Sequence, residues 1–307
     1  MEYLKYLPLV VLLIITMSAR FSSETIQKLC GKKFLAAAGG FYVYTAGASA
    51  VCCVCIAFLY DLSVGISLST ALLGILFGVV TMLSLVMGTL AIANGPWAYT
   101  TVLISLSSII PTLSGAIFWS EKLSVLKIVG IVFMIICFIL SVQNKDKDAE
   151  KKRATFRWLI FALVSALATG GIGVLQKIQG YSSHQDEVGF FLLIAFGFSA
   201  VCSLAIALFL SKKNQTVAFF TKKIKDKRLK WIFVALLGLA GLSISLNHAL
   251  NLYLSSVMES AVFFPLVNGG NLILVTLLSI VVYKEKLAVK QWIGLACGSI
   301  AVICLCL

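Results

Sequence analysis

Acidic residues are scarce in this chain: 12 Asp and Glu stand against 25 Lys and Arg in 307 residues. Histidine is scarcer, with His184 and His248 alone. Metal-dependent membrane enzymes need carboxylates clustered on a helix face or a paired H-E-x-x-H, and neither pattern occurs. The glycine-rich loop that cradles nucleotide phosphates is missing as well, so any work done by the chain must draw on gradients or exchange. Charged residues of all kinds make up 12%, about half the roughly 25% of a water-soluble domain. With 60% hydrophobic residues and a mean hydropathy of +1.03, a soluble fold would have to expose oil to water. These figures exclude disorder, collagen, a disulfide scaffold and a nucleic-acid-binding module, whatever the net charge of +13 suggests. Membrane embedding is the reading that remains.

The nine cysteines lie in or at the ends of apolar runs, with no histidine and no polar loop beside them. They read as small soft hydrophobes packed between helices. Neither a metal nor a cofactor is expected.

A helix that crosses a bilayer needs about 20 mostly apolar residues. Ten such runs are present, at 6–26, 35–60, 68–93, 97–120, 125–142, 156–176, 188–210, 231–255, 260–283 and 288–307. The first lacks an A-x-A cleavage site before the next run and reads as a retained span. The connections at 143–155 and 211–230 are the long ones; both are basic, and neither has the length of an enzymatic domain.

The two halves repeat each other. Gln27 and Lys28 match Gln176 and Lys177, and the run Ser49 to Cys52 matches Ser199 to Cys202. Beyond the 211–230 insertion the offset lengthens and then holds. Ala71 to Gly74 match Ala235 to Gly238, and Glu121, Lys122, Leu123, Val125 and Gly130 match Glu285, Lys286, Leu287, Val289 and Gly294. Colinear matches with one localised insertion indicate a duplication. Each copy has five spans, an odd number, so the second enters the membrane from the opposite side. The expected fold is therefore an all-α integral membrane protein of ten transmembrane helices in two inverted five-helix repeats, 1–142 and 156–307, joined by a basic linker at 143–155. Inverted repeats are how many secondary transporters build two equivalent gates around a midplane site.

WSEKLSVLKIVGIVFMIICFILSV (119–142) and YKEKLAVKQWIGLACGSIAVICLCL (283–307) resemble the E-K/R-L, glycine and apolar-helix ending of each EamA domain in the drug/metabolite transporter superfamily. The resemblance covers both halves. It implies a ten-helix exporter or exchanger of small metabolites or drugs, with helices 5 and 10 peripheral and the others around a central cavity. Glu121 and Glu285 read as interfacial helix-end charges with a structural role.

Lys and Arg crowd the connections after helices 1, 5, 7 and 9, on the same side as the uncharged connection after helix 3, whereas the opposite side carries Lys5, Lys122, Lys127 and Lys177. The positive-inside rule makes the first set cytoplasmic and puts both termini outside. That departs from the termini-inside arrangement the resemblance implies. The basic loops otherwise set topology and attract anionic lipid.

Ionisable groups at membrane depth are costly, so each is a candidate for function. Arg20 and Glu24 lie one turn apart on helix 1, share a face, and are the proton-coupling candidates together with His248. Glu24 is similar in place to the first-helix glutamate of the small multidrug resistance proteins, although its second-copy counterpart is Gly173. His248 lies in helix 8 with Asn247 and Asn251 beside it, and the spacing puts Asn251 on the histidine's face with Asn247 angled about 100° away. Helix 9 carries Asn268 and Asn271 on one face, on either side of Gly269–Gly270 and after Pro265. Helix 4 adds Tyr99, Ser105 and Ser108, with Pro111 as a bend. These side chains form the expected substrate site, while Trp97 and Trp119 read as interface anchors.

The function so indicated is a secondary transporter in the cell membrane that moves a small polar or amphipathic organic solute by alternating access. The expected partners are that solute and the lipid bilayer, with no nucleic acid; a monomer suffices. A lipid flippase is the first alternative and a membrane-embedded enzyme the second.

Overall fold

In hydrocarbon every backbone N–H and C=O must find its partner inside the segment, which drives long apolar runs into helices. The computed structural model describes residues 8–33, 40–63, 65–94, 100, 103–104, 106–140, 156–214, 227–283 and 288–306. These residues form helices α1 (Leu9–Lys33), α2 (Gly40–Leu59), α3 (Leu68–Asn94), α4 (Ile109–Phe118) and α5 (Val125–Leu140). After the linker come α6 (Phe156–Gly180), α7 (Val188–Asn214), α8 (Lys227–Val257), α9 (Ser260–Tyr283) and α10 (Val289–Cys306). A 3₁₀ turn at Gln185–Glu187 precedes α7, and no strand occurs among the described residues. Six of these helices are long and apolar enough to cross a membrane: α1, α2, α3, α6, α7 and α8. The rest contain shorter apolar stretches.

Helix and hydropathy part company at two places. α1 continues to Lys33, past the apolar run ending at 26, and α8 begins at Lys227, inside the connection expected at 211–230. Lys, Arg and Gln are good helix formers, so a helix outlasts its apolar stretch once it reaches the interface. The fourth expected run, 97–120, is helical among its described residues at 100, 103–104, 106 and over Ile109–Phe118. Pro111 stands in the first turn of α4, where its missing N–H is an orphan position in any case. The linker 143–155 and the segment 284–287 with Glu285 lie outside the described residues.

The chain divides into two compact units, Met1–Met82 with Gln179–Leu252 and Leu83–Ile178 with Tyr253–Leu307. Each takes segments from both sequence halves, and the division falls inside α3, α6 and α8.

In the first unit α2 packs along α7. Ser49 meets Ser199, the Cys53 thiol reaches the Leu193 carbonyl at 3.8 Å, and Gly189 backs onto Tyr60. Moving up α2 moves down α7, so the pair is antiparallel. The N-terminus of α3 is held by a loop carboxylate: Glu187 accepts from the Ser67 N–H at 2.9 Å and the Ser67 hydroxyl at 2.6 Å. That satisfies donors the helix cannot pair itself.

In the second unit α5 packs along α10. Gly130 lies against Leu305 and the Ala301 carbonyl, and Gly298 lies against Cys137, again an antiparallel order. A Cβ on Gly130 would stand 2.8 Å from Leu305 Cγ, so glycine is what allows the approach. Met134, Phe138, Ala301 and Leu305 form the buried core of this contact. Lipid tails are as apolar as these side chains, so close van der Waals fit around small residues holds the pair together.

Candidate functional site

The first unit carries charge on α1. Arg20 Nε donates to Glu24 Oε1 at 3.1 Å, one helical turn apart as the spacing predicts. Val11, Ile14, Ser18 and Leu29 form the exposed stripe of the same helix. At 100° per residue, Arg20 and Glu24 are turned roughly 120–160° from that stripe. Their side chains are nonetheless 34% and 45% exposed. The ion pair is thus partly exposed, on a side of α1 turned from that stripe.

Behind the pair runs a buried amide ladder between α1 and α8. The Thr16 carbonyl accepts from Asn247 Nδ2 at 3.2 Å, and Asn247 Oδ1 accepts from Asn251 Nδ2 at 3.0 Å. Asn251 thus spends its amide on Asn247, four residues back, and not on the histidine whose face it was expected to share. The ladder answers the cost of burying amides, which is about 1–3 kcal/mol for each group left unpaired. His248 sits edge-on between Phe77 of α3, 6.0 Å away centroid to centroid, and Phe196 of α7, 5.0 Å away. Packing and polarity meet at this ring.

The second unit holds the polar residues of α4 and α9. Ser108 is buried, and its carbonyl accepts from the Thr112 hydroxyl at 2.8 Å. Asn268 and Asn271 share a face of α9, and Asn268 Nδ2 donates to the Phe264 carbonyl at 2.8 Å. Pro265 lies inside the same helix and has no N–H to offer the Ala261 carbonyl. Next to it a cavity of about 10 Å³ is lined by Ser108, Thr112, Ile131, Met134, Phe138 and Pro265. That is room for about one water and not for an organic solute. Tyr99, Ser105 and Trp97 lie outside the described residues.

The strongest electrostatic feature of this unit is one that sequence reasoning assigned to a loop. Lys177, near the end of α6, is fully buried, so it is no surface charge of the outer face. Its ammonium donates to Glu121 Oε1 and to the Ser260 hydroxyl. Glu121 Oε2 accepts the Ser260 backbone N–H at 2.8 Å, at the first turn of α9. The Lys177 ammonium also stands 5.4 Å from the centre of the Trp119 ring, which makes Trp119 a cation–π partner. Beside this cluster Lys127 pairs with Glu259. The one available signal was the repetition of Gln27–Lys28 as Gln176–Lys177, a basic residue retained at the end of an apolar helix in both copies.

Local geometry places Glu121. The N–H groups of Trp119 and Glu121 both return to the Gly115 carbonyl, at 3.1 and 3.2 Å, closing the end of α4. Ser120 lies between them at φ 53°, a left-handed conformation that costs a non-glycine residue roughly 1–2 kcal/mol. The turn folds the carboxylate back over Gly115, whose missing Cβ leaves the space that Glu121 Oε2 occupies.

Among the described residues, no group of three or more His, Cys, Asp and Glu is placed to hold a metal ion. Long apolar helices with paired charges between them define a multi-pass integral membrane protein. The chain belongs to the EamA-like transporter family of the drug/metabolite transporter superfamily: residues 156–307 match the model of that family. The protein is thus a membrane transporter of that type. No curated protein matches the chain. A solved crystal structure is similar over 97% of this chain and 98% of its own, with a TM-score of 0.68 and 14% identity, a likeness of fold.

Proposed function

We propose that this protein is a secondary transporter of the cell membrane, with ten transmembrane helices arranged as two inverted five-helix repeats, 1–142 and 156–307. It moves a small polar or amphipathic organic solute by alternating access, in export or exchange. The observation that carries this reading is the antiparallel packing of sequence-equivalent helices. α2 and α7 hold the matched runs Ser49–Cys52 and Ser199–Cys202, and Ser49 lies opposite Ser199 itself. α5 and α10 follow the matched E-K-L motifs; in that register Cys137 and Met134 correspond to Ala301 and Gly298. Cys137 touches Gly298, while Met134 and Ala301 share one cluster. Contacts in which a residue meets its own equivalent, or exchanges partners with it, are the mark of a two-fold axis. An axis lying in the membrane plane would exchange the two faces, which is what alternating access requires.

The groups that recognise the solute in the first unit are, in this reading, Asn247, His248 and Asn251. Tyr99, Ser105, Ser108, Asn268 and Asn271, on the fourth span and α9, are the other expected solute-recognising groups. Glu24, paired with Arg20 and partly exposed, is the proton-coupling group, and His248 is the alternative. The purified protein in liposomes, screened with radiolabelled amino acids, sugars, nucleosides and cationic dyes with and without a pH gradient, tests the reading. Uptake above empty liposomes for one class supports it. Scrambling of fluorescent phospholipid without uptake of any solute would replace it with a flippase.

A further inference from the structure

The cluster around Glu121 has more order than a helix-end charge requires. Three independent features converge on one carboxylate. Ser120 adopts the left-handed turn that sends it back over the end of α4, Gly115 leaves room beneath it, and Lys177 reaches it from α6. The carboxylate's second oxygen then takes the first backbone N–H of α9. The first four N–H groups of a helix have no partner within it, and the positive end of the helix dipole favours an anion there.

We infer that Glu121 is a positioning residue for α9. It is an N-terminal anchor supplied by the α4–α5 connection, and buried Lys177 keeps it in place. The anchor fixes the end of the helix that carries Asn268 and Asn271 about two and three turns further on, so Glu121 acts on the solute site without touching it. This rests on the reading of α9 as part of that site; the anchoring can be measured without any solute. Lys177 and Glu121 form a net-neutral pair, and losing either partner alone would strand a charge in a water-poor interior. The ends of α4, α6 and α9 are therefore tied together at one carboxylate.

Hydrogen–deuterium exchange on the intact protein in lipid nanodiscs tests the inference, read at residues 260–264 and, as a reference, across α2 and α7. Gly115→Ala keeps every charge but puts a methyl against the carboxylate and 2.6 Å from Ser260 Cβ, so it crowds the first residue of α9 as well. It should speed exchange of the first turn of α9 at least tenfold and leave α2 and α7 at the wild-type rate. Ser120→Gly relieves the left-handed strain and should keep the first turn as protected as in the wild type. Wild-type protection in Gly115→Ala, or faster exchange in Ser120→Gly, would overturn the anchoring role. Glu121→Gln alone should reduce folded protein severalfold. Glu121→Gln with Lys177→Met removes both charges and should restore accumulation. Because the Gly115→Ala methyl also crowds Ser260, that double variant decides. First-turn exchange at least threefold faster than wild type supports the anchor, and wild-type exchange overturns it. Loss of transport in Asn268→Leu or Asn271→Leu variants tests the reading of α9 separately.

Discussion

Ser49 of α2 and Ser199 of α7 bring their hydroxyls within 3.4 Å of each other, and they are the same position in the two copies of the repeat. Both are buried. A serine facing its own duplicate needs small side chains on both helices, and Ser199 also donates to Met82 Sδ at 3.4 Å. Neither hydroxyl is left in hydrocarbon without a polar neighbour, which would cost about 1–3 kcal/mol.

This proximity gives the first expectation. Ser49→Cys with Ser199→Cys should form a disulfide on mild oxidation, because hydroxyls at this separation put the Cβ atoms near the range a disulfide bridges. Mass spectrometry of the oxidised double variant should recover a peptide joining residues 49 and 199. If oxidation joins only the native cysteines, the α2–α7 pairing is wrong.

The amide ladder predicts an order of effects. Asn247 is bonded on both sides, to the Thr16 carbonyl and to Asn251, whereas Asn251 uses one of its bonds to reach Asn247. Asn247→Leu should therefore cost about 1–3 kcal/mol and more than Asn251→Leu. Thermal melting in detergent measures both, and the reverse order would refute the ladder as an α1–α8 tie.

Charge on α1 bears on coupling. If Glu24 carries the transported proton, Glu24→Gln should abolish uptake driven by a pH gradient and leave solute exchange intact, since exchange needs no net change of charge. Proteoliposomes assayed in both modes decide the matter. Full gradient-driven uptake in the variant would pass the role to His248.

The distribution of Lys and Arg sets the topology expected here, with both termini outside. A C-terminal reporter that works only in the cytoplasm should be dark, while one placed in the 143–155 linker should be active. A bright C-terminus would reverse the cytoplasmic assignment of the basic connections.

Composition and periodicity were enough to read an embedded helical protein, because a chain with 12% charged residues has nowhere else to put its surface. The one-turn spacing of Arg20 and Glu24 fixed their pairing for the same kind of reason: helix geometry is local, and four residues make a turn. The repeat was also legible, since a duplication leaves matched residues whether or not they touch. Whether Ser49 meets Ser199 was not legible, as it depends on how two distant helices cross.

Lys177 shows the limit most sharply. In the sequence it ends an apolar run and reads as a charge at the water's edge, just as Glu121 does. Only tertiary packing brought α4, α6 and α9 together, removed the water and turned two helix-end charges into one buried pair. The cost of an ion depends on its dielectric surroundings and its distance from a counter-charge. Both are set by residues 56 and 83 positions away along the chain. What the linear order determined was which groups could be helical, apolar or charged; the fold decided which of the charges would face each other.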